Sequence, residues 1–219
     1  MVPLVKPGVD RRAKRRALKG GRGAGPSSLK DLFVSQVRVD ILKLFLLRPG
    51  ARYHVRGITR RVDTEINAVR RELDNLVSLG LLKKTPQKNR LYYSVKEDFP
   101  FLDELLGMIV KEEGLGRALT RGRRFGDAKL AFISIPYLKG RVASPNEIDL
   151  LIVGRVPSQK IARLVKAEEK RRNQEINYTI LSEGEFEALK KRRDPFLLAA
   201  VFQPKVVLTP EAEKYLSIS

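Results

Sequence analysis

The strongest hydrophobic pattern in the first half of the chain predicts a helix over residues 65–79. Apolar side chains recur at helical spacing and form one face of it, namely Ile66, Val69, Leu73 and Leu76. The opposite face is polar and carries Asn67, Arg70, Arg71 and Asp74. Gly80 ends the helix. Residues 81–85 and 90–95 follow it as two predicted strands, so the pattern predicts a helix followed by a basic hairpin.

The residues before this helix predict further short elements. Ser28 is a candidate N-cap for a helix that starts near Leu29 and leads into a strongly apolar segment ending at Pro49. A β-prone stretch at 52–55 precedes a short helix at 57–62, and Asp63 or Thr64 is placed to cap the helix that follows. This order of elements is that of a winged helix. Residues 101–110 predict another amphipathic helix, which connects domains, pairs with a second subunit or closes the core.

The second half alternates between strand and helix patterns. Strands are predicted at 130–135, 148–153, 176–181 and 205–208, and helices at 158–172, 183–192 and 194–201, with Ser158 as the cap of the first of them. Alternation of this kind is typical of a small α/β or α+β domain. We therefore predict an α+β protein with a basic arm over residues 1–27, a first domain over 28–114 and a second over 115–219.

Charge indicates the class of partner. The 219-residue chain has a net charge of +19 and a pI near 10.4, which favours a polyanion: DNA, RNA or an anionic membrane surface. Residues 1–30 and 115–219 each contribute +8, whereas residues 31–114 contribute +3. Residues 1–27 are rich in Lys, Arg, Gly and Pro without apolar periodicity, which predicts a disordered arm that adds phosphate contacts or serves only as a solubilising tail.

Several classes of protein are disfavoured by composition. No apolar run approaches the roughly 18 residues that a membrane span needs, and the N-terminal residues have no continuous apolar core of signal-peptide type. The chain has no cysteine and a single histidine, His54, so neither a thiolate site nor a multi-histidine zinc site can form. We expect a cytoplasmic protein, associated with the nucleoid if it binds DNA, and no membrane or metal partner.

The predicted helix and hairpin place basic residues where a duplex would be bound. Arginine bidentate to guanine and asparagine to adenine are common base contacts, which suits the helix face of Asn67, Arg70 and Arg71. The remaining candidate contacts to the DNA backbone lie on the short helix and the hairpin: Arg56, Arg60, Arg61, Lys83, Lys84, Lys88 and Arg90. The alternative is an exposed helix face with local ion pairs among Glu65, Arg70 and Asp74. His54 is interpreted as a strand residue rather than a sensor.

The first half resembles winged-helix transcription regulators of the arsenical-repressor-like type. The resemblance covers roughly residues 32–114 and lies in the segments EINAVRRELDNLVSLGLLKK and NRLYYSV. It implies a recognition helix in the major groove and a basic wing on the backbone. Winged helices also bind RNA or proteins, so the fold alone does not identify the ligand.

The second half resembles the small nucleotidyltransferase domains of the polymerase-β superfamily, through the segment LAFISIPYLKGRVASPNEIDLLIVG. Lys139 and Gly140 fall where that pattern expects them. The resemblance implies a vestigial nucleotide or metal site of Glu147, Asp149 and Glu175. The family's Gly-Ser position is occupied by Ile135 and Pro136, and its first carboxylate by Glu147 instead of aspartate.

These departures bear on catalysis. Nucleotidyl transfer uses metal-bound carboxylates, and alternation on a strand would let Glu147 and Asp149 share one Mg²⁺. The longer side chain of Glu147 would displace its carboxylate by about 1 Å, and a displacement of that size costs on the order of 10²-fold in rate. Pro136 has no N–H to hold phosphate. We therefore predict no catalytic residue and no cofactor, with Mg²⁺ needed only if the site works. Glu147 and Asp149 are expected to be ordinary carboxylates, paired with Arg141 or Lys139, or to bind nucleotide without turnover.

These patterns together predict a sequence-specific regulator of transcription that binds double-stranded DNA as a homodimer. Its C-terminal domain would serve dimerisation, ligand sensing or further DNA contact. Two alternatives remain open: a nucleotidyltransferase targeted by a winged helix, and a DNA-coating, chromatin-like protein with little sequence preference.

Overall fold

The computed structural model describes residues 29–33, 35–121, 127–144, 146–210 and 212–216. Its first half contains α1 (Leu29–Phe33), α2 (Gln36–Leu46), β1 (Tyr53–His54), α3 (Val55–Val62), α4 (Ile66–Ser78), β2 (Leu82–Gln87), β3 (Arg90–Val95), α5 (Leu102–Glu112) and α6 (Gly114–Arg121). Its second half contains β4 (Asp127–Ser134), α7 (Ile135–Leu138), β5 (Leu150–Arg155), α8 (Ser158–Arg172), β6 (Tyr178–Leu181), α9 (Glu183–Lys191), α10 (Pro195–Phe202), β7 (Lys205–Val207) and α11 (Glu213–Leu216). The predicted α+β class is confirmed, and the predicted arm lies outside the described residues.

The first half packs its helices against a small antiparallel sheet. Strand β3 lies between β1 and β2, and β2 and β3 form a hairpin that closes where Gln87 pairs with Arg90. Lys88, in the turn of the hairpin, has a positive φ of 52°. The buried faces of α2, α3 and α4 meet through Ile41, Ile58 and Leu73, each of which has no exposed surface. Their burial leaves the outer face of α4 and the hairpin to solvent.

The helix starts agree only in part with the sequence prediction. The helix predicted to start near Leu29 is the short α1. The apolar segment after it forms α2, which the Ser35 hydroxyl caps by accepting from the backbone N–H of Arg38 at 3.2 Å. The cap of α4 is Glu65, because Asp63 has the left-handed φ of 50° that ends α3. Helix α8 is preceded by Pro157, which makes no side-chain cap, so the prediction of Ser158 as the cap was wrong. The predicted cap Ser28 lies outside the described residues.

The second half is built on a four-stranded sheet with the order β6-β5-β4-β7. Strand β5 pairs antiparallel with β4 and parallel with β6, and β4 pairs antiparallel with β7. Side chains alternate between the two faces, so Ile133 and Ile152 join a core cluster with α8, whereas Phe132 and Leu151 join another with α9 and α10. Both faces of the sheet are therefore covered, as the continuous apolar run of β5 requires.

Gly154 allows β4 and β5 to approach closely. Its φ is +131°, and a Cβ atom there would lie 2.2 Å from the carbonyl oxygen of Asp127. The pairing of β4 with β5 shifts register between Ala128 and Leu130, directly opposite this glycine. The bulge thus depends on a residue without a side chain.

The two halves share one core. A continuous cluster of buried apolar side chains includes Leu73 and Ile109 of the first half and Ile133 and Val165 of the second. Helix α5 contacts α7, and α6 contacts α8, although the Gly114 segment was predicted to be a boundary. These contacts hold the two halves of the described chain together through apolar packing.

Polar and close contacts reinforce this junction. Lys139 on the turn after α7 forms an ion pair of 2.6 Å with Asp103 of α5. In the same turn, Gly140 lies against Pro49 so closely that a Cβ atom on the glycine would be 2.7 Å from the proline Cβ. Pro49, in the loop after α2, therefore packs directly against the turn that follows α7.

Candidate nucleic-acid interface

The first turn of α4 presents its polar face because its inner face is fixed in the core. Val69 and Leu73 are fully buried, and Glu65 accepts hydrogen bonds from the backbone N–H groups of Asn67 and Ala68 at 3.0 and 3.1 Å. These hydrogen bonds hold the pKa of Glu65 below its usual range. The exposed polar residues of the helix include Asn67, Arg70, Arg71 and Asp74, as predicted from the spacing.

The hairpin is basic and solvent-exposed. Every residue from Lys83 to Arg90 is exposed, and Lys88 stands at the turn. Lys84 lies 3.5 Å from Asp74 of α4, which joins the hairpin to the helix by an exposed ion pair. Lys83 points to the opposite face of β2, because neighbouring residues on a strand alternate. The four basic residues of the hairpin are thus divided between two sides.

Arg56 and Arg60 are exposed on helix α3. Arg61 is also exposed, but its side chain is engaged: one Nη donates to the carbonyl oxygen of Gly57 at 3.0 Å, and the guanidinium lies 4.8 Å from the centre of the Tyr53 ring. This cation–π contact gives Arg61 a partner within the protein. The sequence analysis, which predicted that Arg61 contacts the DNA backbone, did not foresee it.

His54 is at the centre of this basic region and caps α3. Its Nδ1 accepts a hydrogen bond from the backbone N–H of Gly57 at 3.2 Å, and its ring meets that of Tyr92 edge-on at 5.7 Å. Desolvation, followed by the positive charges of Arg90, Arg60, Arg56 and Arg61, lowers the pKa of His54. His54 lies in β1, as predicted, and its role as the cap of α3 was not foreseen.

Residues from all three elements converge on one groove of about 650 Å³. Its basic lining comes from Arg56 of α3, Arg70 of α4, and Lys84 and Arg90 of the hairpin, with His54 between them. Asp74 is the acidic residue of the lining. Asn67, Arg71 and Lys88 lie on the same elements but outside the groove lining, and Lys83 lines a different cavity. The structure therefore brings four of the ten candidate residues together in one groove.

Glu147, a candidate metal-site carboxylate from the sequence analysis, is paired locally. Both of its oxygens accept from Arg141, each at 3.0 Å, and one also accepts from the backbone N–H of Ser144 at 2.8 Å. The Arg141 hydrogen bonds, followed by that of Ser144, lower the pKa of Glu147 to about 2. The predicted pairing with Arg141 is confirmed, whereas Lys139 pairs with Asp103.

Asp149 is a buried structural carboxylate, with 3% of its surface exposed. One oxygen accepts from the Ser134 hydroxyl at 3.2 Å and the other from the backbone N–H of Asn177 at 3.1 Å. Desolvation nevertheless raises the pKa of Asp149. Strand β5 begins only at Leu150, so the predicted alternation of Glu147 and Asp149 on one strand was wrong. Glu175 is exposed in the loop before β6.

The backbone donors on either side of Pro136 are already used. The N–H of Ile135 donates to the carbonyl oxygen of Pro204 at 2.9 Å, and that of Tyr137 donates to the Ser134 hydroxyl at 3.1 Å. Pro136 between them has no N–H. With Glu147 and Asp149 engaged as well, these residues do not fit a magnesium and triphosphate site. Across the described residues, no group of three or more His, Cys, Asp or Glu side chains has the arrangement of a metal site.

Comparison with known proteins adds little. No protein-family model matches the chain, and no curated protein matches it. Among solved structures, the crystal structure of human N-acetylserotonin methyltransferase in complex with SAM matches with 17% identity and a TM-score of 0.26. The match covers 77% of this chain, which spans about half (47%) of the methyltransferase chain.

No helix in the described ranges has the length and apolar character to cross a membrane.

Proposed function

We propose that the protein is a sequence-specific DNA-binding regulator of transcription. The observation that carries this proposal is the convergence of Arg56, Arg70, Lys84 and Arg90 on one groove between α3, α4 and the hairpin. A groove lined by cations from three elements matches the regular negative charge of a duplex. The proposal interprets the first half, residues 28–114, as a winged helix-turn-helix domain.

In this proposal, α4 enters the major groove and the hairpin follows the neighbouring backbone. A helix about 10–12 Å in diameter fits a major groove about 12 Å wide. Arg70 and Arg71 would contact guanine or phosphate, and Asn67 would contact adenine. Lys84, Lys88 and Arg90 would bind phosphates beside the groove, as would Arg56 and Arg60 from α3. Arg61 contributes less, because Tyr53 and Gly57 already hold its guanidinium.

We further propose that residues 115–219 form a nucleotidyltransferase-like domain without catalytic activity. The occupied N–H groups of Ile135 and Tyr137 and the engaged carboxylates of Glu147 and Asp149 support this interpretation. Incubation with each labelled nucleoside triphosphate and Mg²⁺ should give no label transfer above background. Transfer that Asp149→Ala abolishes, with the fold intact, would instead establish the enzyme alternative.

Selection from a random duplex pool tests the main proposal. Several rounds of enrichment, followed by titration of the selected duplex at two salt concentrations, should yield a palindromic motif bound by a homodimer. Tight, salt-sensitive binding without enrichment would replace the regulator by a DNA-coating protein of low specificity. Absence of duplex binding at moderate salt would refute both and favour an RNA partner.

A further inference from the structure

A second cavity, of about 110 Å³, lies at the junction of the two halves. Its walls come from the turn between α2 and β1, from β2 and β3, from α5, and from the end of α7. Phe45, Leu102, Leu106 and Leu138 supply apolar wall atoms, and all four belong to the buried core. This volume is below the range of about 300–1,000 Å³ that holds drug-sized ligands, so the cavity suits a small molecule.

The rim of this cavity is cationic. Arg48, Arg52 and Lys83 line it, are exposed, and have no ion-pair partner among the described residues. Lys139 also lines it but is paired with Asp103. Glu97 is the acidic residue of the lining. Three unpaired cations around one opening repel each other, and a bound anion would relieve that repulsion.

We propose that this cavity binds a small amphipathic organic anion, a carboxylate with a compact apolar body. The apolar group would lie against Phe45, Leu102 and Leu106, and the carboxylate would meet the guanidinium groups at the rim. Arginine presents paired donors that match the geometry of a carboxylate, which favours this class over a neutral or cationic ligand. The site is distinct from the groove lined by Arg70 and Lys84, and nothing in the binding step requires DNA.

The position of the site would let a bound ligand influence the proposed DNA-binding surface. Lys83 lies next to Lys84 on β2, and Arg52 directly precedes β1, so the ligand would contact the sheet that carries the hairpin. It would also contact the end of α7, a helix of the second half that packs against α5 of the first. An effect of the ligand on DNA affinity follows from this arrangement, and that part of the inference rests on the proposed function.

Calorimetric titration of the full chain with benzoate, in the absence of DNA, tests the site. We expect saturable binding of benzoate, no comparable binding of benzamide or benzylamine, and a higher melting temperature with benzoate. The double variant Arg48→Gln/Arg52→Gln should weaken binding about tenfold or more, because it removes charge-assisted hydrogen bonds. Ala51→Phe, which fills the cavity from its rim, should abolish binding while the far-ultraviolet circular dichroism is unchanged.

The matched control is Arg163→Gln/Lys166→Gln, which removes the same charge from exposed positions of α8. Benzoate binding equal to that of the wild type is expected for this control. Equal losses in both double variants would refute the site, because binding would then follow net charge alone. Equal binding of benzamide, or no benzoate binding at millimolar concentration, would also refute it. If benzoate binds but DNA affinity does not respond, the site stands and only its coupling to DNA binding fails.

Discussion

At the scale of single residues, His54 reports on the charge around it. The imidazole is the only one in the chain, so its proton signals can be assigned without ambiguity. Desolvation and the charges of four arginines lower the pKa of His54, and its Nδ1 accepts a hydrogen bond from the backbone N–H of Gly57. A change in the surrounding charge should therefore appear directly in its titration.

We expect the NMR titration of His54 to give a pKa below 6.5 in the free protein and a higher one in complex with duplex DNA. Phosphates would offset the charges of Arg56, Arg60 and Arg90, which now disfavour the imidazolium. An unchanged pKa on DNA binding would mean that the duplex does not approach α3.

The lowered pKa of His54 also makes the stability of the fold depend on pH. The stabilising contribution of the neutral His54 is present above pH 6.5 and is lost as the pH falls through the folded-state pKa.

Asp149 tests the structural interpretation of the second half. We expect Asp149→Ala to lower the free energy of unfolding by about 1–3 kcal/mol, because it leaves the buried Ser134 hydroxyl and Asn177 N–H without an acceptor. Denaturation in urea gives this value. Glu147→Ala, at a partly exposed site, is the control and should cost less. A stable Asp149→Ala protein would contradict the structural role.

The sequence was informative for residues whose partners are close in the chain. Arg141 and Glu147 are six residues apart, and their pairing was predicted. The contact between Arg61 and Tyr53 and the hydrogen bond from Asn177 to Asp149 were not, because they depend on how separate segments pack. The cavity rim of Arg48 and Arg52 was missed for the same reason, since spacing alone does not indicate a site between two halves.

At the scale of elements, α4 carries the central prediction. We expect Arg70→Ala/Arg71→Ala to reduce affinity for the selected duplex by about 1–3 kcal/mol for each arginine that reads a guanine. An arginine that binds phosphate would instead be recognised from the salt dependence of the affinity. Its removal should reduce the slope of log affinity against log salt by about 0.9. The control Lys111→Ala/Arg117→Ala removes equal charge from exposed positions of α5 and α6. Unchanged affinity of the first variant would remove α4 from the interface.

The pairing of β4 with β5 gives a prediction with an internal control. Gly154→Ala should destabilise the fold by about 1–3 kcal/mol, because φ is +131° and the new Cβ would meet the Asp127 carbonyl. Gly184→Ala, in the first turn of α9 with open space around its Cβ, should stabilise by about 0.5–1 kcal/mol. Thermal unfolding of both variants gives the comparison, and equal effects would contradict the close approach of the strands.

Helices and strands were predictable where their patterns are regular, and their ends were not. The periodicity of α4 and the predicted span of α8 agree with the structure. The start of β5 was placed two residues early, because Ile148 is buried in the loop before the strand and looks like part of it. Caps failed because several residues can accept the same hydrogen bond, as Asp63, Thr64 and Glu65 could for α4.

At the scale of the whole molecule, charge outside the groove should affect DNA binding. Deleting residues 2–26 should flatten the dependence of log affinity on log salt, by about 0.9 for each phosphate that the segment neutralises. A titration of the selected duplex at several salt concentrations measures the slope. An unchanged slope would identify the N-terminal segment as a solubilising tail. The prediction that the N-terminal segment contacts phosphates rests on its charge alone, since these residues lie outside the described ranges.

The shared core limits how this chain can be recombined. Separating the halves near Gly114 would expose apolar residues such as Ile109 and Leu138 and would break the ion pair of Lys139 with Asp103. The contact of Gly140 with Pro49 leaves no room for a side chain, so a substitution on one side would need a compensating change on the other. The half that contains α4 and the hairpin therefore cannot be transferred as an independent unit. Any chimera must also include the surface against which this half packs.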